Sequence, residues 1–248
     1  METEVNGLKI NYQIFGNGKP FLILHGWGSN SERWRAVAEK IAESGYKVII
    51  PDLPGFGESQ QLDSPWTPND YCAFIEKFGE ATGLKEFYLM GHSFGGAVSA
   101  KFAIKFPQRV SKLFLVSAAC VREKTAKKQV FGALSKIVKI FKFIPYYNFF
   151  KKVIYKFIVK KSDYLSVDGV MKETYLNVIA DDLSQFSGFI KVPTVIIWGD
   201  KDDSTPVENA RLLNQKIKNS KLVIIPGADH LLHKKIPDVL AQKILENI

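Results

Sequence analysis

Sulfur is scarce in this chain: Cys72 and Cys120 are its only cysteines. Two thiols cannot supply the disulfide framework of a small secreted domain, and no cysteine or histidine spacing suits a zinc site. Histidine is scarce too, with four residues at 25, 92, 230 and 233. No apolar run is long enough to cross a bilayer, so no transmembrane segment is expected. Internal repeats and low-complexity linkers are absent, which argues against solenoids and strings of modules. The start, Met1-Glu2-Thr3-Glu4, is acidic and poor in apolar residues. That pattern is not a secretory signal, and the expectation is a cytoplasmic protein with reduced thiols.

What remains is an ordinary globular composition. The 248 residues are 46% hydrophobic and 24% charged, enough for one sizeable domain or a domain with a large insertion. The net charge of +9 is unevenly distributed. Residues 121–163 hold twelve Lys/Arg against Glu123 and Asp163, a local balance of +10, which leaves the rest of the chain at −1. No nucleic-acid recognition motif accompanies this charge, so nucleic acid is not an expected partner.

Along the chain, short apolar runs alternate with helix-like stretches. Val5-Asn6-Gly7-Leu8 is a hairpin turn, and Leu8–Phe15 alternates polar and apolar residues as a half-buried strand does. Phe21–Leu24, Lys47–Ile50, Phe87–Met90, Lys112–Ser117, Thr194–Gly199 and Lys221–Ile225 read as further strands. Ser31 is placed to cap a helix that runs to Ser44, Thr67-Pro68 opens another that Gly83 closes, Ala97–Phe106 is a third, Val207–Ile217 a fourth, and Asp238–Ile248 a closing one. Strands alternating with helices predict an α/β fold: a mostly parallel sheet covered on both faces, with a hairpin at its start. Ligands in such sheets gather at the carboxyl ends of the strands.

Residues 121–188 break the alternation. Phe131, Leu134, Val138 and Phe141 recur at helical spacing with Lys136, Lys139 and Lys142 off that stripe, and Pro145 divides this helix from one around Phe149–Lys160. The expected organisation is a core from 1–120 and 189–248 carrying a helical cap at 121–188. The cap's lysines have three readings: simple solvation of an outer face, contact with an anionic lipid surface, or docking of an acidic carrier protein.

Gly91-His92-Ser93-Phe94-Gly95-Gly96 lies between a strand and a helix. In that context a Gly-x-Ser-x-Gly run is a sharp turn that pushes the serine hydroxyl out at the sheet edge, beside free helix N–H groups. The plain alternative is a glycine-rich turn with a solvated serine. A serine hydroxyl is a poor nucleophile unless a base lies within hydrogen-bond reach and a third group orients that base. His25 and His92 sit inside turns and suit local structure. His230, in the loop after the last strand, is the leading base, ahead of His233. Asp202 is the leading acid, in Gly199-x-x-Asp202 with Pro206 four positions on. Asp200 reads as a turn former, Asp203 as a solvated carboxylate or N-cap, and Glu123 as a fallback acid.

The blocks His25-Gly26-Trp27-Gly28, Asp52-Leu53-Pro54-Gly55-Phe56-Gly57-Glu58-Ser59, Gly91–Gly96, Gly199-x-x-Asp202 and Gly227–His230 resemble those of the α/β-hydrolase superfamily in order and spacing, over essentially the whole chain. The first two blocks look similar to those of the carboxylesterases that cleave pimeloyl-carrier-protein methyl ester. The resemblance implies the nucleophile–acid–base order Ser93, Asp202, His230 and an oxyanion hole from the backbone N–H groups of Trp27 and Phe94. It implies a serine carboxylesterase acting through an acyl-enzyme on small or medium acyl esters, without metal or organic cofactor. Thioesterase, lipase-like and carbon–carbon bond hydrolase activities share the same residues, and a ligand-binding protein that does not turn over could share the fold. A serine at 93 argues against the dehalogenase and epoxide hydrolase chemistry of relatives that carry aspartate there.

Overall fold

The computed structural model describes residues 1–122 and 169–248. Among these, eight strands form one sheet: β1 (Glu2–Val5), β2 (Leu8–Phe15), β3 (Lys19–Leu24), β4 (Tyr46–Pro51), β5 (Phe87–His92), β6 (Val110–Val116), β7 (Thr194–Gly199) and β8 (Ser220–Ile225). Their spatial order is β1-β2-β4-β3-β5-β6-β7-β8. Only β2 runs against its neighbours; every pairing from β4 to β8 is parallel. The opening hairpin pairs Val5 with Leu8 across Asn6 and Gly7, both left-handed at φ 51° and 79°. Two consecutive positive φ values give the turn whose twist matches that of paired strands, and Asn-Gly is the dipeptide that adopts it most cheaply.

The buried stretches of the central strands are apolar because both faces are covered. Along β3, Leu22 and Leu24 join one core and Phe21 and Ile23 the other. The same alternation sends Leu113 and Leu115 of β6 to the first core and Phe114 and Val116 to the second. Helices α2 (Pro68–Ala81), α3 (Phe94–Lys105) and α5 (Val207–Lys216) cover the first face through Phe74, Phe78, Phe102 and Leu213. Helices α1 (Arg35–Glu43) and, after the single turn α6 (Leu232–Lys235), α7 (Pro237–Leu245) cover the second through Val37, Ile41, Leu240 and Ile244.

Thr67 caps α2 as expected, in a capping box with Asp70. Ser31 does not cap α1: a turn of 3₁₀ helix at Glu32–Trp34 intervenes, and Ser31 is itself in helical conformation with no side-chain cap bond. Its N–H donates instead to Asp52 Oδ1 at 2.6 Å. Helix α3 begins at Phe94, three residues before its sequence-based start, because the turn at Ser93 leads straight into it.

The expected cap enters between β6 and β7. Its helices around 131–141 and 149–160 lie outside the described residues. Of the described part, α4 (Gly169–Ala180) lies over the loops that follow the strands. Tyr175 meets the Trp27 ring edge-on at 5.1 Å between centroids. The Trp66 N–H donates to Thr174 Oγ1 at 3.0 Å, and Asn177 Nδ2 donates to the Trp66 carbonyl at 3.2 Å. At the base of the insertion, Arg122 donates to the Val178 and Asp181 carbonyls at 2.9 and 3.2 Å, and the Leu183 N–H donates to the Cys120 carbonyl at 2.9 Å. The guanidinium thus adds a second donor to the Val178 carbonyl, which also accepts from the Asp181 N–H at 3.3 Å, and ties the segment just past α4 to the base of the insertion.

Candidate active site

The site is built at the carboxyl ends of β3, β5, β7 and β8. Strand β5 ends at His92, and Ser93 then takes φ 52° and ψ −115°. A non-glycine residue held there costs ~1–3 kcal/mol, so the surroundings must over-determine it. They do: the Ser93 N–H donates to the Val116 carbonyl at 3.1 Å, and its carbonyl accepts from Ala97 and Ala119 at 3.1 and 2.8 Å. The flanking glycines are a matter of space. A Cβ on Gly91 would fall 2.2 Å from the Gly95 carbonyl oxygen, and one on Gly95 2.3 Å from that of Leu24.

His230 follows β8, and its Nδ1 lies 2.8 Å from Asp202 Oδ2, beyond the end of β7. Asp202 is buried. Oδ1 accepts from the N–H groups of Ser204 and Thr205 at 2.9 and 2.8 Å, and Oδ2 from the Thr205 hydroxyl at 2.8 Å. Burial alone would raise this carboxyl, but the hydrogen bond and charge of His230 and the Thr205 N–H outweigh it and hold it at about 2. An ionised acceptor at Nδ1 fixes the proton there and leaves the Nε2 lone pair for the other side of the ring.

Ser93, Phe94, Trp27 and His230 line one cavity of about 480 Å³, which Tyr175, Val178 and Ile179 of α4 also line. Phe94 is the first residue of α3, so its N–H has no acceptor within that helix. The Trp27 ring both walls the cavity and packs, edge-on against Phe94 at 5.4 Å and Phe56 at 4.9 Å. All five residues singled out in the sequence therefore meet here, with Asp202 behind His230.

The other candidates fall elsewhere. His25 Nδ1–H donates to the Gly26 carbonyl at 2.8 Å and its Nε2 accepts from the Leu53 N–H at 2.9 Å, so it braces the loop carrying Trp27. Burial pushes its imidazole down to about 4, which keeps it neutral. His233 is stacked on Trp34 at 4.5 Å, also held at about 4, chiefly by burial. Asp200 accepts from the Gly227 N–H at 2.7 Å, a turn role. Asp203 is not the N-cap of α5; Pro206 occupies that position, because the chain bends at Asp203–Thr205, where the N–H groups of Ser204 and Thr205 turn back onto Asp202, before the helix starts. Glu123 lies outside the described residues. Thr205 escaped the sequence reading, although its place three residues after Asp202 is the spacing of a side chain accepting from a following N–H. Among the described residues no cluster of three or more His, Cys, Asp or Glu could hold a metal ion.

The family model described as the alpha/beta hydrolase fold matches residues 19–139 and 172–235. The chain belongs to the α/β-hydrolase fold family. Among curated relatives of this α/β-hydrolase, Lipase 1 of Psychrobacter immobilis is 29% identical over 92% of this chain and 77% of its own. Lipase 3 of Moraxella sp. is 27% identical over 92% and 78%. Among solved structures, a thermophilic esterase from Thermogutta terrifontis aligns with a TM-score of 0.77 at 23% identity over 99% of this chain and 97% of its own, which bears on the fold alone. Distant homologues of this α/β-hydrolase are thus lipases. No described helix is long and apolar enough to cross a membrane.

Proposed function

We propose that this α/β-hydrolase is a serine carboxylic-ester hydrolase acting on small or medium acyl esters. The observation that carries the reading is the 2.8 Å imidazole–carboxylate contact of His230 and Asp202 beside a serine on a strained elbow in the same cavity. In this reading His230 Nε2 takes the Ser93 proton as Oγ attacks the acyl carbon. The N–H groups of Trp27 and Phe94 receive the developing oxyanion, each worth ~2.7–4 kcal/mol. His230 then protonates the leaving alkoxide, and water activated by the same ring releases the acid. Asp202 stays ionised and stabilises the imidazolium. Its carboxyl, held at about 2, suits that role at neutral pH.

The lipase relatives favour an ester over a carbon–carbon bond, and the cavity of about 480 Å³ beside Ser93 has room for a short or medium acyl chain. The likeness to carrier-protein methyl ester carboxylesterases rests on the first two sequence blocks, and the basic segment 121–163 is the part we assign to meeting an acidic carrier or an anionic lipid surface. The test is steady-state turnover of p-nitrophenyl esters and thioesters in a chain-length series, with a carrier-linked methyl ester at low and high salt. Turnover that peaks at short or medium esters and vanishes in Ser93→Ala supports the reading. Release that survives Ser93→Ala removes it, and weaker use of the carrier-linked ester at high salt supports the basic surface.

A further inference from the structure

We propose that His92 is a positioning residue that fixes His230 over Ser93 by donating its Nε2–H to the main-chain carbonyl of His230. The inference rests on the reading of Ser93 and His230 given above and adds a part to it. His92 Nε2 lies 2.9 Å from the His230 carbonyl oxygen, across 138 positions of sequence. A carbonyl only accepts, so Nε2 carries the proton. The imidazole of His230 is held at its side chain by Asp202, but a ring is aimed only as well as the backbone it hangs from. That backbone is in a loop, tied on its near side to the turn after β7 by the Lys201 N–H donating to the Ala228 carbonyl at 2.9 Å. His92 supplies the tie at residue 230 itself. Because His92 adjoins Ser93 in the chain, the same side chain sets the distance between the elbow and the base.

The ring has little room to move. It lies 4.8 Å between centroids from His230, 4.8 Å from His233 and 5.6 Å from Trp34. A Cβ on Gly26 would fall 2.9 Å from His92 Nδ1, so the loop carrying Trp27 abuts it as well. The three segments assigned to the nucleophile, the base and the oxyanion therefore meet on one side chain. His92 Nδ1 is buried and has no hydrogen-bond partner among the described residues. An apolar ring would fill this space without an unsatisfied acceptor, so what the imidazole adds is the Nε2–H donor. Burial, with His230 and His233 close by, holds the His92 imidazole well below its ordinary value. A neutral donor suits a base that becomes a cation during turnover, whereas a lysine or arginine here would oppose it.

Glutamine and asparagine separate the donor from mere space-filling. The amide nitrogen of glutamine reaches about as far as Nε2; that of asparagine reaches only as far as Nδ1. In purified protein with unchanged circular dichroism, His92→Asn is expected to lower kcat about tenfold or more with KM within about threefold, and His92→Gln to restore most of the loss. Labelling of Ser93 by a fluorophosphonate should slow in parallel with kcat. Ser93→Ala, run beside these variants, reports separately on the site reading. Loss of turnover in Ser93→Ala together with equal kcat in the two His92 variants, or with wild-type kcat in His92→Asn, would overturn the positioning role alone.

Discussion

Asp202 is fixed atom by atom, each of its oxygens by its own set of donors. Asp202 has four hydrogen-bond donors around two oxygens, which is why a buried carboxylate remains ionised. Asp202→Asn replaces an acceptor by a donor at one oxygen and turns the His230 tautomer. We expect kcat to fall by about three to four orders of magnitude, the scale seen when the carboxylate behind a catalytic histidine becomes an amide, with the fold intact by circular dichroism. Asp203→Asn leaves the imidazole's partner in place and should stay within about tenfold of wild type. The reverse ranking in steady-state assays would assign the acid to residue 203. Ser93, Asp202 and His230 were legible because each follows a strand whose apolar run is plain in the sequence. The polar supports were not. Thr205 lies three residues from Asp202 and was overlooked, whereas His92 acts through a contact with a carbonyl 138 positions away, which no local pattern marks.

Among the elements, the parallel strands were the easiest to read, since burial on both faces makes their middles runs of apolar residues. Their limits were misjudged by one or two residues, where polar ends such as Tyr46 and Ser220 still pair. The capping box at Thr67 was readable because its two partners are three residues apart, whereas Ser31 was drawn away by Asp52, a partner 21 residues distant. Arg122 ties down the end of helix α4, its guanidinium donating to the carbonyls of Val178 in the last turn and Asp181 just beyond. Arg122→Met keeps the aliphatic stem and removes these bonds, each worth ~1.5–3 kcal/mol for a charged donor. Amide exchange in Gly169–Ala180 should then speed up by about tenfold or more while β5 and β6 stay protected. Unchanged exchange in that helix would show that Trp66 and Tyr175 suffice to hold it.

At the scale of the whole molecule, histidine sets the acid limit. His25 and His233 are both buried and held at about 4 against an ordinary value of 6.5, chiefly by burial. The folded state therefore binds fewer protons than the unfolded chain between these values. Their contribution is complete above pH 6.5 and is lost as pH falls toward 4, by up to about 3 kcal/mol for each group. Asp202 works in a lower window, its contribution fading only as pH falls from 3.8 toward about 2. Urea midpoints should accordingly drop between pH 7 and pH 4.5; a constant midpoint across that range would mean that these imidazoles are already protonated in the folded protein or not buried in it.

The central claim is that an acyl group passes through Ser93. Rapid mixing with a p-nitrophenyl ester, followed by acid quench and mass spectrometry of peptides, tests it most directly. The account predicts an initial burst of nitrophenolate of about one per chain and an acyl adduct on Ser93, both absent from Ser93→Ala. A burst that persists in Ser93→Ala, or an adduct on any other residue, would contradict it.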